Sequence, residues 1–226
     1  MRKLFIVVFI LFATCIHGQT LSQVSFLDGA NLSFFSISSD YNILIRVSVD
    51  GKLLEWGTEV KSDRYSFYAS KLQPFMGRME YYGPESDSAY RGKIKSIGTC
   101  FITYYASYDN PNKTGKVKTM GPLLFDYYEA YEDKKMQGKL KQVGNLSIEY
   151  YREYEDESVR GKLKSIGSMP IVYYTVFDDK VNAGKLKSIG PVIYYWYSLS
   201  DPVYMRGTLK GDAYRRVIAG INFILR

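Results

Sequence analysis

From residue 92 to residue 211 the chain repeats one arrangement of apolar and polar positions every 23 residues. Glycine opens each unit, at Gly92, Gly115, Gly138, Gly161, Gly184 and Gly207. Two places on stands an aliphatic residue: Ile94, Val117, Leu140, Leu163, Leu186 and Leu209. In the first five units it is flanked by lysines, Lys93, Lys116, Lys139, Lys162 and Lys185 before it and Lys95, Lys118, Lys141, Lys164 and Lys187 after it. An apolar residue and a glycine end the run, as in Ile97-Gly98 and Ile166-Gly167. An aromatic pair follows at Tyr104-Tyr105, Tyr127-Tyr128, Tyr150-Tyr151, Tyr173-Tyr174 and Trp196-Tyr197. Four residues beyond each pair comes an acid: Asp109, Glu132, Glu155, Asp178 and Asp201.

Each unit contains two runs rich in Tyr, Ile, Val and Phe, residues that suit a pleated surface, and no helical i, i+3, i+4 stripe. Turn-forming stretches such as Ser168–Pro170 and Asp178–Ala183 separate them. One unit therefore predicts one β-hairpin, and successive units an antiparallel meander. The expected fold is all-β, with about seven to eight hairpins in a curved or extended array. A sheet of more than about ten strands tends to curl, split or close, so a closed barrel is the alternative.

Strict alternation divides each hairpin into two faces. Leu163, Ser165, Ile171, Tyr173 and Phe177 fall on one, expected to be packed; Lys162, Lys164, Ile166, Tyr174 and Asp178 fall on the other. Like-charged lysines on neighbouring strands repel, and the recurrent acid is expected to relieve this. The glycines are expected at bulges, close approaches or bends.

The period fades toward both ends. Gly51–Gly57 and Gly77–Gly83 keep only a Gly-x-aliphatic-x-x-x-Gly frame, and the unit opened by Gly207 has no aromatic half. Arrays need atypical end units to cover their edges. The division read from the chain is a leader at 1–18, an irregular β cap region at 19–76 with runs at Asn31–Ser38 and Asn42–Val49, hairpin repeats at 77–211, and a C-terminal capping strand at 212–226.

The leader assignment rests on Arg2 and Lys3, the apolar run Leu4–Phe12 and the small or neutral residues up to Gly18-Gln19. Cys15 raises a lipid-anchor alternative. Export to the periplasm, cell surface or medium is expected. Loss of Arg2 and Lys3 takes the formal charge from +7 to +5, which solubility alone explains. The sole histidine, His17, leaves with the leader, which excludes Ser-His, Cys-His and His-metal chemistry in the mature chain. One cysteine remains, Cys100, so no internal disulfide forms; it reads as a small buried hydrophobe.

The 23-residue, Gly/Tyr-rich hairpin over about residues 77–211 resembles MORN repeats, which implies a hairpin array of the kind used in scaffolds and membrane-associated adaptors. The motif here, Gly-Lys-Leu-Lys-x-Ile-Gly, departs from that family's glycine spacing, so no functional residue is carried over. The leader and the tyrosine-rich mature chain also resemble envelope proteins of Gram-negative bacteria.

The functional expectation is a non-enzymatic binding or structural surface. Its candidate face joins Tyr105, Tyr128, Tyr151, Tyr174 and Tyr197 to Lys95, Lys118, Lys141, Lys164 and Lys187. Tyrosine offers a rigid ring and a hydroxyl at low entropic cost, suited to a cell-envelope glycan or a protein partner. The competing reading is that these residues serve strand pairing and solubility. No cofactor, metal or nucleic-acid partner is expected. Two further alternatives are an outer-membrane barrel and a glycan-acting enzyme built on acids such as Glu153, Glu155, Asp156 and Glu157 or Asp178 and Asp179.

Overall fold

The computed structural model describes residues 19–39, 43–59 and 71–226. The expected leader, with Cys15 and His17, lies outside the described residues, as does the first residue of the run expected at Asn42–Val49. The described chain is all-β and forms two open sheets; neither closes into a barrel.

The repeats build the larger sheet, an eleven-stranded antiparallel meander. Its strands are β6 (Met79–Tyr81), β7 (Ile94–Ile97), β8 (Cys100–Tyr104), β9 (Val117–Met120), β10 (Leu123–Tyr127), β11 (Leu140–Val143), β12 (Leu146–Tyr150), β13 (Leu163–Ile166), β14 (Met169–Tyr173), β15 (Leu186–Ile189) and β16 (Val192–Ile193). A bridge between Trp196 and Leu209 extends it by one last pairing. Each hairpin closes through a two-residue turn such as Gly167-Ser168, with Ile166 opposite Met169. Gly167 has φ +56° while Ser168 does not enter the positive region. That is the type II′ pattern, which matches strand twist and admits proline at the second position, as at Gly121-Pro122.

Between hairpins the register slips once per unit. Val172 pairs with Ser188 and Tyr173 with Leu186, so Lys187 has no partner across the ladder. Lys95, Lys118, Lys141 and Lys164 are skipped in the same way. The second lysine of every unit is thus a β-bulge, two residues opposing one. This corrects the faces expected from strict alternation. Ile166, expected on the outer face, is 2% exposed because the bulge turns it inward beside Leu163. Ser165, expected to be packed, is half-buried. Phe177, also expected to be packed, is 91% exposed because β14 has already ended at Tyr173.

The remaining strands form a seven-stranded sheet in the order β17-β18-β1-β2-β3-β4-β5. These are β1 (Thr20–Leu27), β2 (Asn31–Ser38), β3 (Ile43–Val47), β4 (Leu53–Thr58), β5 (Gln73–Pro74), β17 (Arg215–Ile218) and β18 (Ile221–Leu225). Residues 212–226 therefore contribute a hairpin, and β18 runs parallel to β1. The region expected as an irregular end cap is a second layer: Val24, Phe26, Phe35, Ile37, Ile45 and Phe223 share one core with the inward residues of the meander. Cys100 is fully buried in that core.

Backbone bonds tie the layers together. Val117 and Leu140 donate their N–H groups to the carbonyls of Gly51 and Val49, and Leu186 donates to Gly29. At Gly51, with φ +82°, a Cβ would collide with the ring of Tyr127; at Gly29 it would collide with Trp196. Both turns press on aromatic residues so closely that only glycine fits.

Candidate binding surface

The aromatic pair of each unit is built into the sheet. The first member is buried: Tyr127 is fully so, Tyr150 and Tyr173 nearly so, and Tyr104 and Trp196 are only 7% and 8% exposed. Tyr104 and Tyr127 donate their hydroxyls to the carbonyls of Ile94 and Val117, and Trp196 donates its indole N–H to Leu186. Burial holds Tyr127, Tyr150 and Tyr173 protonated well above the ordinary tyrosine range, which removes them as acid–base groups near neutrality.

The second member, from the expected binding face, reaches into the next unit. Tyr105, Tyr128, Tyr151 and Tyr174 donate to the carbonyls of Phe125, Ile148, Ile171 and Tyr194, at 2.9, 2.9, 3.0 and 3.2 Å. The rings of Tyr105, Tyr128 and Tyr151 stand edge-on to Tyr127, Tyr150 and Tyr173, with centroids 5.9–6.1 Å apart. Lys118, Lys141, Lys164 and Lys187 place their ammonium groups 5.1–5.4 Å from the rings of Tyr105, Tyr128, Tyr151 and Tyr174, and Lys210 stands 4.8 Å from Tyr197. Lys95 lies instead over Phe101 at 6.0 Å.

The acids complete this network. Lys141, Lys164 and Lys187 pair with Glu132, Glu155 and Asp178 at 2.6–2.9 Å, and Lys210 pairs with Asp201 at 3.0 Å, which is the relief of lysine repulsion expected above. The same carboxylates accept the backbone N–H three residues earlier, from Glu129, Arg152, Thr175 and Ser198. The first lysines do parallel work: Lys93, Lys116, Lys139 and Lys185 donate to the carbonyl of the next unit's opening glycine. Burial lowers the affinity of Lys116, Lys139 and Lys185 for their protons. Lys162 turns instead to Ala30 and Asn31 of the other layer. The structure thus brings the expected Tyr/Lys face together, but spends the hydroxyls of Tyr105, Tyr128, Tyr151 and Tyr174 and the charges of Lys141, Lys164 and Lys187 on joining neighbouring units.

The acids weighed for catalysis sit in the same loops. Glu155 pairs with Lys164, Asp156 accepts from the backbone and hydroxyl of Ser158, and Asp179 accepts from Val181. Hydrogen bonding from Ser158 lowers Asp156, and bonding from Lys187 and Thr175 brings Asp178 down to about 2. A glycosidase acid needs the opposite shift.

What remains open to solvent is a different aromatic position. Tyr108, Tyr131, Tyr154 and Phe177 occupy one place in four successive units, directly before the acid, and are 87, 80, 76 and 91% exposed. They form a ridge along the loops joining the hairpins. Those loops are braced: the side chains of Asn110, Asp133, Asp156 and Asp179 each accept an N–H two residues on. Asp133 also accepts from Glu153 of the next loop, and Asn110 donates to Glu129. Between Tyr131 and Tyr154 lies a cleft of about 510 Å³. The pattern Tyr-x-x-aromatic-acid was the signal in the chain that could have identified this ridge. The adjoining units carry Glu85 and Ser200 there, so the ridge is bounded at both ends.

Comparison with protein-family models, with curated proteins and with solved structures found no match to this chain.

Proposed function

We propose that the chain is an exported, non-enzymatic binding protein that meets its partner through the ridge Tyr108, Tyr131, Tyr154 and Phe177. The observation that carries this reading is the exposure of four large aromatic side chains at one repeated position, while the other repeated aromatics are enclosed or bonded within the sheet. Exposed aromatic clusters of this kind mark contact surfaces on soluble proteins. The bracing of the loops supports it further, since a surface held in place before binding loses little freedom on association. The lowered carboxyl groups and the absence of histidine after residue 17 support a non-catalytic role.

The test is retention of cell-envelope material on the immobilised mature chain, beside a variant carrying Tyr108→Ser, Tyr131→Ser, Tyr154→Ser and Phe177→Ser. Retention by the native chain and its loss in the variant is expected. Equal retention by both would remove the ridge as the contact surface. Mass measurement of the mature chain is expected to place its first residue at Gln19.

A further inference from the structure

We infer that the ridge takes an extended, uncharged glycan chain laid across the units, with one ring-stacking step per unit. This rests on the proposed binding role and specifies its ligand. Three observations point to that chemistry.

The first is periodicity. Successive ridge residues are two strands apart in the meander, which sets a step of about 10 Å from ordinary strand spacing. A regular row of flat rings matches a polymer that presents the same face at each step, and the step is of disaccharide length. The surface of a protein without internal repeats has no such period.

The second is charge. The four loops at residues 106–115, 129–138, 152–161 and 175–184 carry ten carboxylates against six cationic side chains. Lys141, Lys164 and Lys187 pair with three of those acids, which brings the row close to neutral and leaves no cationic strip for a phosphate backbone or an anionic lipid surface. This leaves a neutral polymer as the one that approaches without electrostatic cost.

The third is the cleft between Tyr131 and Tyr154. Its volume falls in the range of small-ligand sites. Glu149 and Arg152 line it along with the two rings. A carboxylate accepts and a guanidinium donates, so the pair can read sugar hydroxyls while the rings cover the apolar C–H face of a pyranose.

The experiment is calorimetric titration of the mature chain with cello- and chito-oligosaccharides from disaccharide to octasaccharide, with heparin as the anionic comparison. Affinity is expected to rise with length until the chain spans the ridge. Tyr131→Ser or Tyr154→Ser should weaken the longer oligosaccharides about two- to tenfold each, the worth of one aromatic contact. Tyr151→Phe, an interior change, should leave affinity as it is. Affinity independent of length, or binding of heparin in preference to the neutral sugars, overturns the inference. If no oligosaccharide binds while envelope protein is still retained in a ridge-dependent way, the glycan assignment falls and the binding surface stands. If neither is retained, both fall.

Discussion

Tyr127 and Tyr131 lie four residues apart in one unit and recur together along the array, yet the first is fully buried and the second is 80% exposed. The interior column holds rings edge to face, hydroxyls on carbonyls and lysines against ring faces, with the Tyr127 hydroxyl bonded inside its own unit and that of Tyr105 reaching the next. The ridge has none of this; its rings stand clear of the sheet on braced loops. Recurrence therefore marks equivalent position and leaves role undecided. A periodic tyrosine whose hydroxyl is already bonded to its neighbour is part of the frame, and a periodic tyrosine in solvent is available to something else.

The two sets should separate cleanly under mutation. Tyr127→Ala empties a buried site and removes the bond to Val117, with an expected cost of about 3–5 kcal/mol in denaturant unfolding. A change below about 1 kcal/mol there would mean the interior column does not hold the units together. Tyr151→Phe removes a single hydroxyl bond and should cost about 0.5–1.5 kcal/mol by the same measurement. Acid offers a gentler probe. Asp178 titrates below its ordinary 3.8 in the folded chain, so its stabilisation is present above about pH 4 and is lost as the pH falls toward 2. The carboxyl is largely exposed, and solvent screening keeps this contribution under about 1 kcal/mol. In acid titrations of native chain and Asp178→Asn, the stability difference should shrink across that window and stay flat above it. Smallest of all, Tyr131→Ser with Tyr154→Ser should move unfolding by no more than about 0.5 kcal/mol, although it should weaken binding at the ridge. A large stability loss would place those rings in the frame after all.

Much of the fold was legible because a period survives any local irregularity. The opening glycines, the aliphatic positions and the turn glycines locate each hairpin, and the structure has its strands there. Which side chains point inward was not legible from alternation, since one skipped lysine per unit brings Leu163 and Ile166, three apart, to the same face. The docking of the N-terminal strands was equally hidden: it depends on carbonyls at Gly29, Val49 and Gly51, and main-chain acceptors leave no mark in a sequence. For the candidate site, the paired tyrosines drew attention as the most regular feature, and that regularity reflects their contacts with each other. Phe177 was assigned inward because alternation was carried past the end of β14 into the loop.

The glycine turns of the smaller sheet have a consequence for how such a chain can change in length. Gly51 rests on Tyr127 and Gly29 on Trp196, aromatic positions three whole units apart. Within the meander, each unit grips only the next, so a unit could be gained or lost by duplication without any local misfit. The second layer is not periodic, and its two turns span a fixed distance. It acts as a ruler laid along the array: an added unit between those positions would leave one turn facing the wrong ring, so the copy number is set by the part of the molecule that does not repeat.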